Sequence, residues 1–267
     1  MFRYSNPYVR WWSKKSAAGT GTVGGATATY GGVMVKTALL LGVTVLSAVV
    51  TMFATWYGIF RFAETLEISN SAVIGFIVGV IVAVVLMIVC SVAIAIKPTL
   101  TKVFGPIYAI IQGAFLGFSA AFIRIALPYV GFAAILGTAI VFAVCILLYK
   151  RLGVRIKSNF LRVLVISLVC FSLVQLIMLP IMLFVPTEGM YTAIIWIQAI
   201  TSFICIVFAA VTVIYDLQAI DYVVEGGADK AYEWPVAFSL VTSLVYLYLQ
   251  ILQLLLRILA LFGSRKK

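Results

Sequence analysis

From Val33 onward the chain is a succession of long apolar runs broken by short polar separators. The runs occupy 33–57, 71–96, 104–123, 127–149, 163–185, 190–215 and 235–262. Each reaches the length of about 20 residues that a helix needs to cross a hydrocarbon core about 30 Å thick. The separators carry turn or charge signals: Arg61, Glu64 and Glu67, then Lys97-Pro98, Arg124 to Pro128, Lys150 to Arg162, and Pro186 to Gly189. This pattern predicts an all-α membrane protein of seven transmembrane helices, the third and fourth forming a close hairpin. The transmembrane domain is expected over 33–263, between a flexible basic cytosolic tail at 1–32 and a basic C-terminal tail at 264–267.

Polar residues inside the runs are not scattered. In the last run Ser239, Ser243, Tyr246, Gln250, Gln253 and Arg257 follow one another at intervals of 4, 3, 4, 3 and 4, one continuous stripe on a helix. The opposite face, with Leu240, Leu244, Leu247 and Leu254, suits lipid or apolar packing. A similar stripe runs through Gln198, Ser202, Cys205, Ala209, Thr212 and Asp216. These two helices are expected to face a common interior or each other, because polar side chains are costly in hydrocarbon. The run 104–123 adds Tyr108, Gln112 and Ser119 on a related face. Two readings of such stripes stand open: hydrogen bonds that glue helices together at about 1 kcal/mol or less each, or the lining of a water path. The GxxxG steps Gly75–Gly79 and Gly113–Gly117 are read as close helix packing.

Asp216 is the one acid well inside an apolar run, and helical periodicity continues past it to Gly226-Gly227, a natural stop. That helix is expected to project beyond the bilayer. Asp221, Glu225 and Glu233 are expected to form an acidic cytosolic mouth. With a turn at 226–233, Asp216 lies about 15 Å up its helix, level with Ser243, and Gln250 stands about 10 Å farther out.

Composition sharpens this picture. The chain is 64% hydrophobic and 10% charged, against about half and about a quarter in soluble domains, so its solvent is the lipid bilayer. The net charge of +11 comes from basic residues dispersed among short loops, which excludes a nucleic-acid surface. Lys150, Arg151, Arg155, Lys157 and Arg162 fall on the same side as the N-terminal tail, Lys97, Lys102 and Lys230, which makes the N-terminus cytosolic by the positive-inside rule. The basic tail Arg265-Lys266-Lys267 opposes that count, and a full last crossing is favoured over a re-entrant one.

Enzyme chemistry finds little support. The chain contains no histidine, which removes serine–histidine hydrolases, HExxH metalloproteases and the commonest zinc sites. Cys90, Cys145, Cys170 and Cys205 lie in apolar runs without a CxxC pair and read as packing residues. Gly19, Gly21, Gly24 and Gly25 lack the GK[ST] of a phosphate loop. No second embedded aspartate completes a dyad, and no lysine in the last run could hold retinal. Neither a cofactor nor a metal site is expected.

Three stretches carry a family resemblance. The last third, from Ile214-Tyr215-Asp216-Leu217 through Ala231-Tyr232-Glu233-Trp234 to Leu247-Tyr248-Leu249-Gln250-Ile251-Leu252, resembles the Bax inhibitor-1 family, in particular its longer prokaryotic form. Gly31-Gly32-Val33-Met34-Val35-Lys36-Thr37 resembles the way that family begins its first helix. Pro106-Ile107-Tyr108-Ala109, with Gln112-Gly113 and Leu116-Gly117, resembles its third-helix signature. The resemblance implies a prokaryotic cell membrane, seven helices with the last near the centre, and a pH-sensitive calcium leak controlled by a pair of acids. Asp216 matches one acid of that pair, while Gln250 falls nearest the other and Gln112 stands where the family commonly has glutamate.

The expected function is accordingly a cation leak, with calcium as permeant ion and protons as regulators. Asp216 is expected near the gate and Ser243, Tyr246, Gln250 and Gln112 along the pathway. The alternative is a non-conducting membrane scaffold, or a quality-control or stress-regulatory protein, that binds other membrane proteins.

Overall fold

The computed structural model describes residues 27–65, 70–126, 129–153, 156 and 188–263. The expected run 163–185, most of the N-terminal tail and the tail 264–267 lie outside the described residues. The rest is helical: α1 (Tyr30–Thr65), α2 (Asn70–Ile96), α3 (Thr101–Ala126), α4 (Val130–Leu152), α5 (Glu188–Glu225) and α6 (Glu233–Gly263). Short 3-10 turns at Pro98–Leu100 and Lys230–Tyr232 precede α3 and α6. No strand occurs among the described residues; Thr27 and Asp229 form an isolated bridge. Helices are what the solvent demands, since each spanning segment must satisfy its own backbone polar groups.

Five stretches, Tyr30–Gly58, Pro98–Ala121, Val130–Leu152, Ile194–Glu225 and Lys230–Leu261, are long and apolar enough to cross a bilayer. In α2 the corresponding apolar stretch among the described residues is Val82–Ile96. Large apolar side chains are turned outward along these helices: Met34, Leu46 and Phe53 on α1, Phe132 and Ile140 on α4, Ile200 and Phe203 on α5. In water such faces would drive aggregation; in a bilayer they meet lipid. The chain is an all-α integral membrane protein.

By contacts it divides into two compact units, one of Thr22–Pro128 and Ile220–Val241, the other of Met1–Gly21, Tyr129–Ala219 and Thr242–Lys267. In the first, α1 packs closely along α3. Thr101, Gly105, Ala109, Gly113, Gly117 and Ala121, small residues four apart, are all buried. Small residues let backbones approach: a Cβ on Gly113 would collide with the Thr44 carbonyl oxygen, and one on Gly117 with that of Ala48. Ser47 Oγ crosses the seam to donate to the Ile110 carbonyl at 2.7 Å. At the step Gly75–Gly79, Gly79 is exposed and meets nothing within 4 Å among the described residues.

The same unit contains the α5–α6 turn. Ala228 N–H bonds Val223 O and Gly227 N–H bonds Val224 O, both at 3.1 Å. Gly227 has φ 61°, the left-handed residue that ends a helix in a Schellman motif. The stop expected at Gly226-Gly227 is therefore present. The 3-10 turn before α3 touches the one before α6, and Tyr108 meets Phe238 edge to face with ring centres 5.1 Å apart.

In the second unit α4 runs parallel to the C-terminal half of α5. Cys145 Sγ donates to the Ala210 carbonyl at 3.6 Å, and Ile156 N–H, just past α4, donates to Gln218 Oε1 at 3.0 Å. Gly137 on α4 faces Ile251 on α6.

The two GxxxG steps separate cleanly by mutation. Gly113→Leu or Gly117→Leu should lower stability in detergent by at least about 2 kcal/mol through overpacking, and Gly79→Ala should leave the melting temperature unchanged. Thermal unfolding of the three purified variants checks this; equal losses at all three would remove the packing assignment.

Candidate functional site

On α5 the polar stripe faces inward. Ser202, Cys205, Ala209 and Asp216 are buried, Asp216 at 3% exposure, while Trp196, Ile200, Phe203 and Val207 on the other side are exposed. This inverts the amphipathic logic of a soluble helix, because the outer solvent is apolar and the costly groups have to turn toward protein. Asp216 lies nine residues before the end of α5 at Glu225, and Ser243 ten residues after the start of α6 at Glu233. On rise alone the two stand at similar depths from the turn.

α6 is enclosed: no residue from Tyr232 to Ile258 is exposed. On its leucine face Leu240, Leu244 and Leu247 are buried and Leu254 is half-buried. Along the polar stripe Ser239, Ser243, Tyr246, Gln253 and Arg257 are half-buried, and only Gln250 is buried. The choice between lipid and apolar packing for the leucines is thus decided for packing. Arg257 is anchored on α5, donating to the Gln198 carbonyl at 2.6 Å and to Ser202 Oγ, with Gln253 Oε1 at 3.5 Å. Gln250 Oε1 has no hydrogen-bond partner within the described residues.

Gln112 is buried on α3 in the α1–α3 unit, whereas Asp216, Ser243, Tyr246 and Gln250 belong to the other. The acids expected at the mouth divide as well. Asp221 and Glu225 lie within reach of the Tyr30 hydroxyl, and Glu225 is exposed. Glu233 instead is fully buried, at 0% exposure.

What buries Glu233 is a junction with the start of α1. Thr29 N–H donates to its Oε1 at 2.8 Å and the Thr29 hydroxyl donates to the same atom at 3.3 Å. Lys36 Nζ pairs with Oε2. A carboxylate over a helix N-terminus satisfies an otherwise orphaned N–H and opposes the positive end of the helix dipole. Thr29 is also the N-cap, its hydroxyl oxygen accepting from Gly32 N–H at 3.0 Å. A Cβ on Gly32 would overlap the Glu233 carboxyl oxygens and displace them. Sequence reading missed this cluster. Its local signals, a threonine three residues before a glycine and a glutamate opening the last helix, say nothing of a partner 204 residues away.

Among the described residues no group of three or more histidine, cysteine, aspartate or glutamate side chains could hold a metal ion.

A family model described as Bax inhibitor 1 like matches residues 6–260. The chain belongs to the Bax inhibitor-1-like family. Comparison with curated proteins and with solved structures gives no significant match.

Membership in the Bax inhibitor-1-like family focuses attention on Gln250, which stands where the resemblance places the second acid. A buried amide oxygen without a partner costs about 1 to 3 kcal/mol. Gln250→Leu is therefore expected to keep or raise the melting temperature, so that any loss it causes would be functional. Leu247→Ile, a swap of equal volume at a site with 0% exposure, should cost less than about 1.5 kcal/mol. Thermal melts of both variants test this, and a collapse of Gln250→Leu would mean that its amide is needed to fold.

Proposed function

We propose that this protein is a pH-sensitive cation leak with calcium as a permeant ion, and that Asp216 stands at its gate. The observation that carries the reading is a carboxyl group at 3% exposure on the inward face of α5. Ionisable groups inside a bundle are expensive and mark ion or proton pathways. The polar stripe of α6 supports it, with Ser243 and Tyr246 half-buried and Gln250 buried in the same unit as Asp216. The family resemblance supplies the ion and the proton dependence.

The same reading counts seven crossings. α4 and the C-terminal half of α5 run parallel, and the chain leaves α4 beside Gln218. It has to return to Glu188 before α5 begins, about 45 Å at 1.5 Å per residue. The run 163–185 is the apolar stretch available for that return. The enclosure of α6 from Tyr232 to Ile258 supports a last helix at the centre. With the N-terminus cytosolic, a cysteine introduced at Glu188 should react with an impermeant reagent from outside and one at Lys157 should not. The reverse labelling would overturn the map.

Calcium flux through the purified protein in liposomes tests the gate. With Asp216 and the amide Gln250 at the two positions where the resemblance implies a pair of acids, the flux should titrate as a single shallow step, spread over about two pH units, in place of the coupled titration of a pair. Asp216→Asn should flatten the pH dependence. Gln250→Glu should reshape it only if the helices bring the two positions together. Unchanged pH-dependent flux in folded Asp216→Asn would move the gate elsewhere, and wild-type protein that moves no ion but co-purifies with a membrane protein would favour the scaffold.

A further inference from the structure

The junction at the start of α1 lies outside the proposed ion pathway and has a construction of its own. Three residues ahead of α1 run alongside the α5–α6 turn. Thr27 forms the antiparallel bridge to Asp229, Ala28 N–H donates to the Ala228 carbonyl at 2.7 Å, and Thr29 N–H donates to Glu233 Oε1 at 2.8 Å. Two turns into α1, Lys36 takes the other carboxylate oxygen. It also donates to the Lys230 carbonyl at 3.3 Å and stands 5.3 Å from the centre of the Trp234 ring.

One fully buried carboxylate thus joins the two segments through both of its oxygens. Its donors come from the start of α1, while the strand-like residues Thr27 and Ala28 hold the turn through backbone contacts and the buried Ala28 methyl. One backbone hydrogen bond and an isolated bridge are a slender hold for a segment at the end of a helix. The charge-assisted bonds to Glu233 are the stronger part.

We infer that Thr27–Thr29 form a strap across the α5–α6 turn and that Glu233 is its latch. While the carboxylate is held, the start of α1 and the turn move together. When it loses its charge, the strap lifts as a unit and the turn is released from α1. Lys36 acts through Glu233 as a positioning residue, cancelling a charge that would otherwise be buried unpaired.

Hydrogen–deuterium exchange on the full-length protein in lipid nanodiscs reads the strap directly. In wild type the amides of Ala28 and Thr29 should be protected. In Glu233→Gln the peptide spanning 27–33 should exchange about tenfold faster or more, with peptides from the α1–α3 seam unchanged. Lys36→Arg should retain the protection. The double variant Lys36→Met/Glu233→Gln separates a latch from an ion pair that merely stabilises the fold: it leaves no buried charge unpaired, yet a strap without its latch should still exchange fast. Protection restored in the double variant, or unaltered in Glu233→Gln, would overturn the inference. Ion flux is not measured, so failure here leaves the leak reading standing and the converse also holds.

Discussion

A polar group placed in hydrocarbon finds nothing to bond, and in this chain that constraint decides which way each helix turns. The consequence is plainest on α5, where Ser202 and Asp216 are buried while Ile200 and Phe203 are exposed. A soluble helix would do the opposite. The same constraint makes close backbone approach valuable, because helices in lipid gain little from hiding apolar surface and must gain from contact itself. The seam between α1 and α3 answers this with six small residues at four-residue spacing, from Thr101 to Ala121.

At Arg257 and Glu233 charges are handled by a second solution, in which donors or acceptors are drawn from another segment. Arg257 reaches a carbonyl and a hydroxyl on α5, and Glu233 gathers an amide, a hydroxyl and an ammonium from the start of α1. Breaking such an arrangement from one side leaves an uncompensated charge, which is why these contacts fix geometry more firmly than their net energy suggests. Asp216 carries a carboxyl group in the same unit as the Arg257 anchor and is the residue on which the functional reading turns.

The resemblance implies an acid pair at positions where this chain has Asp216 and the amide Gln250. Gln250 keeps the size and the hydrogen-bonding oxygen of glutamate but cannot exchange a proton near neutral pH.

Much was legible in the sequence because local pattern and lipid solvent agree. Runs of apolar residues gave α1 to α4, α5 and α6 within a few residues at most boundaries, and Gly226-Gly227 marked the stop that Gly227 makes by adopting positive φ. The inward face of α5 followed from the spacing of its polar residues. Three matters waited for tertiary structure. Gly79 and Gly113 both sit in GxxxG patterns, yet among the described residues only Gly113 of the two meets a neighbouring backbone; spacing specifies a face and not what it faces. Leu240, Leu244 and Leu247 of α6 are more buried than most of its polar stripe, and periodicity shows contrast between faces without saying which is the more buried. Glu233 looked like one acid among several at a helix end, and its partners lie 197 and 204 residues away. A buried charge is recognised by what surrounds it, and that is assembled only when the chain folds.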